Sequence, residues 1–170
     1  MRLWIATLAC LLAAGPALSQ GYSREDIVRG LCRQDGCDEF SIAEKQPVTS
    51  DARGALFRTR VRIFHASQQG RKDQGEENGY VLCSMTKPAI VSEQGGQTTA
   101  LLLAPSTERQ SRESTNFYTL YFSLCHGLEA GRSAARDWRA VAQSLSYAVP
   151  LQQSRTVSLK EPESILSLVQ

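Results

Sequence analysis

The sequence reads as an α+β protein, an antiparallel β-sheet packed by an N-terminal helix and a C-terminal helix and closed by two disulfides. Three observations predict this. Residues 56–64 alternate strictly: Phe57, Thr59, Val61 and Ile63 fall on one face and Arg58, Arg60 and Arg62 on the other, the period of an antiparallel strand with one wet face. Strand-like runs follow one another across short polar turns, and helical spacing is read only near the two ends. Four cysteines remain once the first 19 residues are set aside, an even number suited to crosslinking.

Those first 19 residues look like a secretory signal peptide. Arg2 supplies the positive start, Leu3 to Ala14 is apolar or small, and Ala17-Leu18-Ser19 places small residues at −3 and −1 of a cut before Gln20. The run is too short to cross a hydrocarbon core, which needs about 20 helical residues, and no later stretch is long enough. A lipoprotein reading at Cys10 fails on Thr7, where an aliphatic residue belongs, and on the apolar residues that continue past the cysteine. The expected organisation is a leader, 1–19, and one globular domain, 20–170, in the periplasm or outside the cell.

The elements follow in order. Ser23 can cap a helix with Glu25 and Asp26 in its first turn and with Ile27, Val28 and Leu31 on one face. Arg33-Gln34-Asp35-Gly36 is a polar turn, so Cys32 pairs with Cys37 and Cys83 is left for Cys125. Phe40, Ile42 and Val48 suggest a short strand ending near Pro47, ahead of the alternating strand. Ser67 to Gly79, with three glycines among charges and amides, reads as a mobile connection. Tyr80 to Met85 and Ala89 to Val91 are strand-like, and Glu93 to Gln97 is a hairpin turn. Thr98 to Ala104 returns with three consecutive leucines, a sign of burial on both faces. After a polar loop, 106–116, Phe117 to Cys125 is aromatic and reads as a strand. A helix from about Ala134 to Ser146 carries Trp138, Val141, Ala142 and Leu145 as its stripe. Thr156 to Lys160 alternates as a late strand, and Pro162 opens a short tail.

Chemistry is sparse. Without the leader, 18 basic residues face 17 acidic ones, a near-neutral balance that argues against nucleic acid as the main partner. The basic residues are strongly skewed, fifteen Arg to four Lys, and no function follows from that skew by itself. The cysteine and histidine spacing lacks the two close ligand pairs of a zinc site, so no metal is expected. No phosphate-binding glycine pattern and no Gly-x-Ser-x-Gly elbow occurs, so neither a cofactor nor a catalytic residue is assigned. Adjacent Cys125 and His126 are poorly placed to share a proton, and in an oxidising compartment Cys125 has Cys83 as partner. Arg58, Arg60 and Arg62 are the one compact basic feature. They could hold an anion bidentately, or they could face acids across the sheet.

The expectation is an exported, disulfide-stapled, non-enzymatic protein that binds another protein or an envelope component. A small periplasmic hydrolase using His65 or His126 is the alternative. N-terminal sequencing of the exported protein should begin at Gln20, and alkylation of the unreduced protein should find no free thiol.

Overall fold

The computed structural model describes residues 23–168. The leader and its cut lie outside them. Seven antiparallel strands form one sheet in sequence order: β1 (Ile27–Arg33), β2 (Gly36–Asp51), β3 (Gly54–Ser67), β4 (Gly70–Cys83), β5 (Ala89–Gln94), β6 (Gln97–Leu102) and β7 (Arg155–Leu159). Two helices, α1 (Thr115–His126) and α2 (Leu128–Ser144), stand between β6 and β7. A 3-10 turn at Pro162–Leu166 ends the fold. Both expected disulfides form, Cys32–Cys37 across its polar turn and Cys83–Cys125 as the remaining pair.

No N-terminal helix forms among the described residues, and both helices follow the long strands. Ser23 does accept a hydrogen bond from the Glu25 amide at 3.3 Å, but it caps only a 3-10 turn at Arg24–Asp26 before β1 begins. The misleading signal has a physical origin. The β1–β2 register slips between Arg29 and Cys32, and this bulge buries Val28 and Leu31, three residues apart. A bulge interrupts the period of two and so imitates helical spacing. Asn116 fixes the bulge: its Oδ1 accepts from the Leu31 amide at 2.6 Å while its Nδ2 donates to Asp38 at 2.8 Å.

Residues 117–125 are likewise helix rather than strand. Tyr118, Tyr121, Phe122 and Cys125 recur at i, i+3, i+4 and i+7, and the three aromatics are fully buried. Burial of that stripe outweighs the β-propensity of the individual rings. The segment 70–79 is strand rather than loop. It continues a hairpin from β3, and it is exposed because no helix covers it and β5 pairs only from Gly79 to Leu82. Strand β2 also runs past Pro47 to Asp51. It takes the proline at a register shift, beyond the reach of β1, where no neighbouring strand needs its missing N–H.

The sheet is buried on both faces at β4–β6, as the leucine run predicts. Val81, Ile90 and Leu101 lie opposite one another and pack beneath α1 and α2, where Tyr118 stacks on Trp138 at 4.5 Å. Leu56, Leu82, Ala89 and Leu102 form the other face, covered by Ile165 from the C-terminal turn. The helices meet at Gly127, whose φ of 90° only glycine adopts without strain. Helix α2 breaks at Asp137, and the Asp137 carboxylate accepts from the Ala140 amide at 3.0 Å to restart it.

Gly131 fits α2 against α1. A Cβ there would lie 1.7 Å from Ser123 Oγ, 2.9 Å from Ser123 Cβ and 3.0 Å from the Thr119 carbonyl oxygen. Alanine gains about 1 kcal/mol in helix propensity, but overpacking of this kind costs about 1–3 kcal/mol. Because two of the three obstructing atoms are backbone or Cβ, the clash should win. Gly131→Ala is expected to lower the urea midpoint, and an unchanged or raised midpoint would contradict this packing.

Candidate functional site

The arginine face of β3 does not form an isolated basic patch. Arg60 lies between Glu44 of β2, at 3.4 Å, and Glu76 of β4, at 3.6 Å, and Arg62 pairs with Asp73. Arg58, opposite Gln46 and Tyr80, forms no ion pair among the described residues. Arg58 and Arg60 share a small cleft of about 170 Å³ with Glu44, and Arg62 lies outside it. The Arg62 guanidinium holds the Asp73 carboxyl below its usual range.

Neither histidine meets a nucleophile. His65 sits 3.2 Å from the Asp35 carbonyl through Nε2 and 3.6 Å from the Asp38 carboxylate through Nδ1. His126 Nε2 lies 2.6 Å from the Tyr147 hydroxyl, which donates to Tyr121, whose hydroxyl in turn donates to the Ser84 carbonyl oxygen and accepts from the Ser84 amide. Burial pushes the Tyr147 phenol up to about 12 and Tyr121 well above its usual value. The proton of Tyr147 is thus committed to Tyr121, so His126 Nε2–H donates. Burial, with a smaller contribution from Lys45, lowers the His126 pKa and keeps the ring neutral. The nearest serine, Ser84, donates to the Arg53 carbonyl oxygen and accepts from the Lys87 amide, which closes a turn. Cys125 is bonded to Cys83.

A larger concavity lies elsewhere, along the β1 edge. A cleft of about 670 Å³ is lined by Arg24 of the first 3-10 turn, Arg29 of β1, Arg71 of β4, Arg112 ahead of α1, and Arg132 and Arg136 of α2. Those six are among the fifteen arginines of the chain, and one carboxylate, Glu39, lines the cleft with them. Glu39 is 1% exposed and accepts from Arg29 Nε at 2.9 Å and from Arg71 Nε at 2.7 Å. Arg71 also lies over the buried Phe64 ring, 6.0 Å from its centroid. Arg132 donates to the Glu25 and Ile27 carbonyl oxygens and pairs with Glu129 at the rim, while Arg112 donates to the Cys32 carbonyl oxygen at 2.8 Å.

Chemically, this arrangement suits oxyanions. Guanidinium groups stay charged, present planar donor forks and match carboxylate or phosphate oxygens bidentately. Among the described residues no group of three or more His, Cys, Asp or Glu could hold a metal ion. Sequence reading missed the cleft because its arginines come from five separate segments spread over more than a hundred positions. The one available signal was the excess of arginine over lysine.

A half-buried carboxylate holds the Arg112 loop in place. Glu108 accepts from the Tyr118 hydroxyl at 2.6 Å, from Ser114 Oγ at 2.7 Å and from both the amide and the hydroxyl of Ser154. Burial alone would raise its pKa, yet these donors prevail and lower it. A carboxyl with a depressed folded pKa adds stability that is full above its unfolded pKa and is lost as pH falls through the folded value. Between about pH 6 and pH 3, Glu108→Gln should therefore lose less stability in urea titrations than the wild type. Parallel pH curves would refute this role. Comparison of the chain with protein-family models, with curated proteins and with solved structures finds no match in any of the three.

Proposed function

We propose that this is an exported, non-enzymatic binding protein that holds an anionic group of an envelope component or protein partner in the β1-edge cleft. One observation carries the reading: six arginines converge on a single cleft in which only Glu39 supplies a carboxylate. Like charges gathered this way raise the free energy of the empty site, and an anionic ligand relieves that repulsion. The stripe of Arg58, Arg60 and Arg62 is a weaker candidate, because Glu44, Glu76 and Asp73 already compensate two of its three members.

The two disulfides fit an oxidising compartment, and the leader-like first 19 residues support export to the periplasm or beyond. No helix among the described residues is long and apolar enough to cross a membrane. The hydrolase alternative draws little support from either histidine. His126 donates to a phenol held protonated, and His65 faces a backbone carbonyl on one nitrogen.

The test uses Arg24→Gln/Arg136→Gln, since neither side chain makes a hydrogen bond or ion pair among the described residues and the fold should survive. Each exposed guanidinium contact is worth about 0.2–1 kcal/mol, so losing the pair should weaken capture of the anionic envelope fraction by about twofold to thirtyfold. Bound material should elute from the wild type at higher salt than from the variant. Equal elution from both proteins would sink the reading, as would ester hydrolysis that His126→Asn or His65→Asn abolishes.

A further inference from the structure

Resting on that reading, we infer that the cleft takes a phosphate ester or diphosphate rather than a carboxylate or an acidic peptide. The first argument is charge. Six guanidiniums stand against Glu39 within the cleft and Glu129 at its rim, and a single carboxylate would compensate only one of those in excess. A phosphate monoester carries about −1.5 to −2 and three strong acceptor oxygens, so one or two such groups match the site in charge and in donor number. Arg132 and Arg136 add to the need, because they lie one helical turn apart on α2, where like charges repel.

The second argument is the state of the backbone. An acidic peptide would bind a sheet edge by adding a strand, and that requires free amides and carbonyls along β1. Here the Glu25 and Ile27 carbonyl oxygens accept from Arg132, the Cys32 carbonyl oxygen accepts from Arg112, and the Leu31 amide donates to Asn116. The edge is closed by side chains, so recognition falls to the guanidinium forks. A compact oxyanion needs nothing more.

The third argument is what lines the cleft besides the arginines. Ile27, Gly30, Leu31, Thr115 and Ala135 contribute no aromatic ring, so the site has no platform on which a nucleobase would stack. A volume of about 670 Å³ exceeds one phosphate and leaves room for a second phosphate or for the alcohol it esterifies.

The experiment is calorimetric titration of the disulfide-intact protein with pyrophosphate, inorganic phosphate, citrate and hexaglutamate, with a parallel arm of phosphatidic acid vesicles against phosphatidylcholine vesicles. Pyrophosphate should bind at least tenfold more tightly than citrate or hexaglutamate. Arg24→Gln/Arg136→Gln should weaken pyrophosphate by about twofold to thirtyfold, while the charge-matched Arg155→Gln/Lys160→Gln, outside the cleft, should leave it unchanged. Retention on phosphatidic acid vesicles would identify a headgroup as the source. Binding of soluble phosphates alone would identify a free ligand, and either result supports the phosphate assignment. Citrate or hexaglutamate binding as tightly as pyrophosphate would overturn the assignment and leave the anion-binding reading standing. No anion bound by a folded protein would overturn both.

Discussion

The helical layer is tied to the sheet through three groups on one face of α1: the Tyr118 hydroxyl, the Tyr121 hydroxyl and the Cys125 sulfur. Each meets a segment that leaves the sheet. Tyr118 accepts from the Ala104 amide, just past β6, at 3.1 Å. Tyr121 exchanges two hydrogen bonds with the Ser84 backbone, just past β4, and Cys125 is bonded to Cys83 beside it. A buried hydroxyl without a partner costs about 1–3 kcal/mol, so these tyrosines fit α1 only where those backbone groups stand. The polar tips set the register of α1, and the rings fill the space between helix and sheet. Trp138 then stacks on Tyr118, which places α2, and α2 brings Arg132 and Arg136 to the β1 edge. The cleft is thus a consequence of how an aromatic helix satisfies its hydroxyls.

Glu39 is the second constraint. A carboxylate buried to this degree is costly unless hydrogen-bonded to cations, and two guanidiniums meet it through Nε. The two pairs together reach across four strands, from β1 to β4, and hold Arg29 and Arg71 at one end of the cleft. Lysine would serve less well at these positions, because its single ammonium is more strongly hydrated and offers no planar fork to the carboxylate. The skew of fifteen arginines to four lysines, uninformative as a composition figure, acquires a structural reason at this site.

Much of the sheet was legible because period and turn chemistry agreed. The alternating β3, the Gly95-Gly96 hairpin, the leucine run of β6 and the Cys32–Cys37 pairing follow from local signals, and Cys83–Cys125 follows as the pair that remains. The failures share a cause: local pattern and tertiary context disagreed. The bulge at β1 gave a strand helical spacing. The rings of α1 carried β-propensity on a helical period, and the i, i+3, i+4, i+7 recurrence of 118, 121, 122 and 125 was the better guide. The first half of β4 has no buried face, so it has no hydrophobic signature at all. Backbone pairing holds it, together with the cross-strand pairs Arg60–Glu76 and Arg62–Asp73. The arginines of the cleft were out of reach for a different reason, since no local pattern encodes the convergence of five segments.

Two stretches of strand unpaired on one side, the first half of β4 and the edge strand β1, are managed differently, and the contrast bears on what each can bind. Strand β4, between Arg71 and Asn78, carries charges of both signs and a glycine at a register shift, with Gly75 at φ 100°. Mixed charge with an irregular backbone discourages strand addition without attracting any particular ligand. Strand β1 is closed instead by Arg112, Arg132 and Asn116, whose side chains occupy the backbone groups directly. Closure by guanidinium leaves positive charge where a neutral cap would leave none. Arg112 and Arg132 spend only part of their five N–H groups on carbonyl oxygens, and both side chains line the cleft. The device that protects this edge from another chain therefore also equips it for an oxyanion, and edge protection and anion recognition rest on the same residues.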